Sequence, residues 1–173
     1  MIRVLAPILL LAHPAQAVTH AFCWTGAFDY RVEGTITYPD DLVGGLVTEA
    51  EVTGFRIVGW RGGDRLGAWS LEERTPETSF TLVFDAETLS FRMGGDPSGG
   101  TYQEWNADGT ATDCGDPGFG FNGGNRAQDL CVDGIFVEES GVSPDTPLAI
   151  SPPGAPPCGP LPMSALPWAR PVG

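Results

Sequence analysis

Glycine and proline decide what this chain can fold into. Its 173 residues hold 24 Gly and 16 Pro, and in a helix interior each Gly costs about 1 kcal/mol and each Pro about 3 kcal/mol relative to Ala. Only DLVGGLVTEAEV, residues 41–52, remains as a candidate short helix, and its paired glycines weigh against it. The other segments carry a period of two. In FDYRVEGTITY, Phe28, Tyr30, Val32, Gly34, Ile36 and Tyr38 alternate with Asp29, Arg31, Glu33, Thr35 and Thr37, the pattern of a strand with one face in a core and the other in water. VTGFRIVGW (52–60) and SFTLVFDAETLSFRM (79–93) continue it, the latter as a hairpin turning over Asp85–Thr88. LGAWSLE (66–72), TYQEWN (101–106) and GIFVEE (134–139) read as further short strands, divided by RGGD, GGDPSGG and NADGT. Turn signals at roughly 8–12-residue spacing predict an all-β fold, a single antiparallel sandwich or barrel over residues 22–142.

Both ends differ from this body. MIRVLAPILLLAHPAQA (1–17) has a cation at Arg3, an apolar run from Val4 to Ala12 and small residues at Ala15 and Ala17. That is the make-up of a secretory signal peptide, with cleavage expected after Ala17; its apolar run falls short of the ~20 residues that span a bilayer. Beyond Val142, ten of the 16 prolines fall between Pro144 and Pro171 with hardly any charge, so residues 143–173 read as a disordered, partly polyproline-like tail.

Charge excludes whole classes of partner. The formal net charge is −13, every basic residue is Arg, and these are scattered singly. Neutralising phosphates takes a clustered basic surface, so no nucleic acid is expected as partner, nor an anionic membrane surface. No integral membrane anchor is expected either, and the localisation read from the N-terminal signal is secreted, extracellular or periplasmic.

In an exported protein four cysteines point to disulfides. Cys114 and Cys131 bracket the Gly-rich GDPGFGFNGGNRAQDL, and a bridge there is worth about 3 kcal/mol on the chain-entropy model. Cys23, at the start of the domain, and Cys158, in the tail, are left to pair with each other or to stay free. The glycines 118, 120, 123 and 124 are expected to admit positive φ in a wide hairpin loop; without a following helix or any Lys they do not make a phosphate cradle.

No catalytic motif emerges, so the chain is expected not to be an enzyme and to need no cofactor. His13 lies in the signal segment and His20 near the start of the mature chain, which leaves no imidazole to activate a nucleophile. A small glycoside-active enzyme needs only paired carboxylates, for which Glu72, Glu73, Asp85, Glu104 and Asp108 stand as candidates. Zinc spacing is absent. For calcium, Asn106, Asp108, Asp113 and Asp116 offer oxygen ligands within one loop, yet turn-forming Asp and Asn account for that loop without a metal. A carbohydrate-binding module is the alternative to a purely structural role, with Trp60, Trp69, Tyr102 and Trp105 as candidate sugar-contacting residues and an extracellular polysaccharide as partner. Trp105 shares its strand phase with Gln103 and not with Tyr102, which places at most one or two of the four at the surface.

The N-terminal export signal, a Gly/Asp-rich β domain with TITYPDD and FTLVFDAETLSF, and a Pro-rich segment carrying PLPMSALP together resemble the PEP-CTERM group of exported bacterial proteins, particularly its VPLPA variety. In that group the proline motif precedes a transmembrane helix and a basic cluster, and an exosortase processes the whole signal at the membrane. Here GPLPMSALP (159–167) is followed by WARPVG. The resemblance therefore implies an exported surface or matrix protein with a sorting linker but without the C-terminal anchor helix and basic cluster.

Overall fold

A computed structural model of the chain describes residues 16–108, 114–151 and 155–158. Strand makes up about 51% and three antiparallel sheets form; there is no α-helix among the described residues. The first sheet orders β13 (Ala149–Ile150), β1 (Ala17–Thr25), β2 (Tyr30–Pro39), β4 (Gly54–Arg61) and β5 (Asp64–Ser70). The second orders β12 (Ile135–Val142), β11 (Gln128–Val132), β10 (Phe119–Gly123), β9 (Gln103–Trp105) and β6 (Phe80–Thr81), and a small third sheet joins β3 (Leu46–Thr48), β7 (Val83–Asp85) and β8 (Ser90–Phe91). The expected all-β class is what the chain adopts.

Aromatic rings fill the space between the layers. Trp105 of β9 packs against Phe22 of β1, Phe55 of β4, Phe91 of β8 and Phe121 of β10, with centroids 4.6–5.4 Å apart, within the range of favourable edge and offset contacts. All three sheets thus meet on one indole. Burying each large apolar side chain stabilises the fold by about 1.5–3 kcal/mol.

Rings of this size fit because glycines face them. Gly59 and Gly67 pair across β4 and β5, and a Cβ on either would run into the Phe119 ring of the opposite sheet. Gly34 is the cross-strand partner of Phe22, whose ring occupies the place its Cβ would take.

Strand β2 follows the predicted alternation, with Tyr30, Val32, Gly34, Ile36 and Tyr38 buried and the residues between them half-buried. Phe28 departs from it. The ring is 73% exposed, because Phe28 and Asp29 both have positive φ and form the β1–β2 turn, closed by the bond from Tyr30 N to Ala27 O, as in a type I′ hairpin. The 41–52 segment is no helix: a 3₁₀ turn at Asp40–Leu42 passes through Gly44, with φ +86°, into β3. Strand β1 carries no clean alternation, since Phe22, Cys23 and Trp24 are all buried in a row. Phe22 and Trp24 belong to the core, whereas Cys23 is covered from the other side through its disulfide to Cys158.

The domain does not stop at Val142. Buried Gln128 accepts a hydrogen bond from Trp24 Nε1 (2.7 Å) and donates through Nε2 to the carbonyls of Pro144 (2.7 Å) and Thr146 (2.8 Å). Leu148 is buried, and β13 adds an edge strand with Ile150 opposite Phe22. One buried amide therefore ties the start of the proline-rich segment to the core, and the expected boundary at residue 143 moves to at least Ile150. Of the rest of the expected tail, Cys158 is held to Cys23 by the disulfide, while 152–154 and 159–173 lie outside the described residues, as does the expected signal segment up to Ala15.

The second disulfide joins Cys114 to Cys131. Gly115 alone of the glycines between them has positive φ, at +87°; Gly120 and Gly123 lie on β10, a fully buried strand, and 118, 120, 123 and 124 are not among the positive-φ glycines. They serve close approach instead, as at Gly120, where a Cβ would meet the Asn106 carbonyl.

Gly59→Ala is expected to destabilise the protein by about 1–3 kcal/mol through overpacking, and Gly63→Ala, where a Cβ meets open space, to leave it unchanged or slightly more stable. Urea unfolding of both variants checks this, with part of the Gly59→Ala loss recovered when Phe119→Leu is added. The Cys23–Cys158 bridge spans 135 residues and Cys114–Cys131 spans 17, so on the chain-entropy model they contribute about 5 and about 3 kcal/mol. Reductant should lower the melting temperature by about 10 °C or more. A chain cleaved between Ile150 and Cys158 should migrate as one species until reduced, and then as two.

Candidate functional site

The second and third sheets share a continuous stretch of chain that changes partners. Phe80 and Thr81 pair with β9, and two residues later Val83 pairs with β3. Leu82, between them, has left one ladder without joining the other, and buried backbone donors need a partner. Glu49, just past the end of β3, supplies it: its carboxylate accepts from Leu82 N at 3.1 Å. Gln103, fully buried, does the same for the adjoining residues, donating to the carbonyls of Val83 (3.0 Å) and Arg92 (2.9 Å) and accepting from Val83 N at 3.4 Å.

This divergence opens a surface groove of about 460 Å³. Thr81 and Val83 belong to its strands, Thr48 and Glu49 come from the end of β3, and Pro97, Gly100, Tyr102 and Glu104 come from β9 and the loop before it. Tyr102 and Glu104 alternate with the buried Gln103 and Trp105, so their side chains project from the face opposite the core. The Glu104 carboxylate accepts from Thr81 Oγ1 at 3.2 Å. The loop is braced internally: Gly95 N donates to Thr101 O (2.8 Å) and Thr101 N to Asp96 O (3.0 Å). Within it, bonds from Ser98 hold the Asp96 carboxyl below its usual range.

Of the four aromatic residues singled out for sugar contact, only Tyr102 lines this groove. Trp69 and Trp105 are core, a correction that follows from the inward phase they share with Ile57 and Gln103. Trp60 is half-buried on the outer face of the first sheet. It lies opposite Arg31, whose guanidinium sits 5.0 Å above its ring, in the outward phase of Arg56 and Val58.

The candidate carboxylates are dispersed. Glu72 is exposed on the 3₁₀ turn after β5, and Glu73 there accepts from Ser70 N and Oγ in a capping box. Asp85 closes the β7–β8 turn, accepting from Thr88 N (3.0 Å) and Glu87 N (3.1 Å) and pairing with Arg92 at 2.9 Å. Asp108 is half-buried beside 109–113, which lie outside the described residues together with Asp113. Only Glu104, with the unanticipated Glu49, faces the groove. The one signal for Glu49 was its position in the acidic TEAEV stretch, which gives no hint of the backbone it serves.

Of the four oxygen ligands weighed for calcium, Asp113 lies outside the described residues. Asn106, buried with φ 54°, turns its Nδ2 to the carbonyls of Cys114 (3.1 Å) and Phe119 (2.9 Å), bracing the strand entry, and Asp116 is exposed. Among the described residues no three His, Cys, Asp or Glu side chains gather as a metal site. Among them, too, no helix is long and apolar enough to cross a membrane. Comparison with known protein families, curated proteins and solved structures finds no match to the chain.

The Thr88 backbone, with Arg92 after it, lowers the Asp85 carboxyl from an ordinary 3.8 to about 2. A depressed carboxyl contributes stability that is present above its ordinary value and lost as pH falls through the folded one. Asp85→Asn should therefore be less stable than the parent at pH 5–7, and the gap should close as pH falls toward 2. Urea unfolding across that range measures it.

Proposed function

We propose that this chain is an exported domain, secreted or displayed at the cell surface, that acts without catalysis and without a cofactor, as a component of the extracellular matrix or surface. The observation that carries this reading is the pair of disulfides, which engage all four cysteines. Such bonds persist in oxidising compartments and are rare in the reducing cytosol. The composition of residues 1–17 and the strongly acidic, Lys-free chain support the same reading. On the PEP-CTERM resemblance, the segment with PLPMSALP is a sorting linker, which supports a role at the cell envelope.

A second reading is favoured by one observation. Tyr102, with two carboxylates and two threonine hydroxyls beside it, lines the groove between the sheets, which supports a carbohydrate-binding role.

Expression from its own start codon, followed by cell fractionation, N-terminal sequencing and non-reducing peptide mapping, tests the first reading. Protein should appear outside the inner membrane, beginning at Val18, with Cys23 linked to Cys158 and Cys114 to Cys131. Cytosolic protein with an intact N-terminus and four alkylatable thiols would overturn it.

A further inference from the structure

The groove at the β6–β7 sheet change has a chemistry that selects among ligands. Its volume of about 460 Å³ lies within the ~300–1,000 Å³ range of small-molecule sites. Its lining combines the half-exposed Tyr102 ring, the apolar Val83 and Pro97, and the oxygen groups of Glu49, Glu104, Thr48 and Thr81. Both charged groups in that lining are carboxylates, and no Arg lines it. On a chain of net charge −13 this disfavours anionic ligands, phosphates and acidic glycans alike.

A neutral sugar ring is complementary to such a surface. One face of a pyranose presents C–H groups, which suit the negative face of an aromatic ring, while its equatorial hydroxyls seek strong acceptors. Carboxylates are the strongest acceptors among side chains, and hydrogen bonds to them are about twice as strong as neutral ones.

The groove is also built before any ligand arrives. Glu49 is fixed by Leu82 N, Glu104 by Thr81 Oγ1, and the approach to Tyr102 by the Gly95–Thr101 and Thr101–Asp96 bonds. Groups already held in place lose little freedom on binding.

We propose that this groove binds a neutral polysaccharide chain, with a sugar face on Tyr102 and ring hydroxyls donating to Glu49 and Glu104. The proposal rests on the second reading above and gives it a site, from which Trp60, Trp69 and Trp105 are excluded.

Native affinity electrophoresis of the oxidised full chain, in gels containing laminarin, hydroxyethyl cellulose or glucomannan, tests it, with alginate as the acidic control. At least one neutral polysaccharide should retard the protein and alginate should not. Tyr102→Ala should weaken that retardation by about tenfold or more, an effect of about 1.4 kcal/mol, and Glu49→Gln and Glu104→Gln by about three- to tenfold. Trp60→Ala should bind as the parent does. Glu104→Gln keeps the shape of the side chain and an acceptor for Thr81, so it reports on the groove even if Tyr102→Ala fails to fold. No retardation by any neutral polysaccharide, stronger retardation by alginate, or binding that survives in Tyr102→Ala and Glu104→Gln alike would each overturn the proposal. Peptide mapping and localisation of the same preparation separate the outcomes: an exported, fully bridged protein that ignores all three neutral polysaccharides removes the groove ligand and leaves the first reading standing.

Discussion

A core packed with Phe and Trp between sheets has a geometric problem, and in this protein its solution is the missing Cβ. Phe119 can reach across to the first sheet because Gly59 and Gly67 lie side by side beneath it, and Phe22 can lie over its own neighbour because that neighbour is Gly34. Sheets pack roughly 10 Å apart, and rings that span this distance must be met by small residues. The glycine content that rules out helices is thus partly the complement of the aromatic content. The two compositional features are one packing solution seen from opposite sides.

Where strands change sheets, side chains stand in for backbone. Gln103 joins the small third sheet to the second, Gln128 joins the chain after β12 to Trp24, Asn106 braces the entry to β10, and Glu49 takes the N–H that the β6–β7 transition strands. Each substitutes for a ladder bond that would otherwise leave a buried polar group unpaired, at a cost of about 1–3 kcal/mol. The groove is a by-product of the same discontinuity. A site formed this way needs no dedicated loop, only two sheets that part company at one residue.

Long alternating strands such as β2 and β4 were legible in the sequence because one face meets the core and the other meets water, and the short β7–β8 hairpin was legible from its turn residues. Strand β1 was not, since its outward residue Cys23 is buried by a partner 135 positions away, and a period of two disappears when both faces are covered. Strand β10 looked like a loop because its glycines answer to neighbouring backbone and not to turn geometry. The proline-rich composition hid β13, which docks by pairing with β1 after Gln128 has tied down the chain that leads to it. For the groove, the phase of TYQEWN already separated Tyr102 and Glu104 from Gln103 and Trp105. What no local pattern contained was Glu49, brought there by sheet pairing alone.

The bridge between Cys23 and Cys158 links β1 to the chain beyond β13, and it changes how the molecule bears load. Tension applied on the far sides of these two cysteines passes through a covalent S–S bond, so that β2 to β13 carry none of it. Of β1, only the residues before Cys23, Val18 to Phe22 in a chain that begins at Val18, can be peeled from the sheet. A domain fastened at one end and pulled at the other would, while oxidised, transmit force like a short inextensible link, leaving β2 to β13 and the groove unloaded under shear.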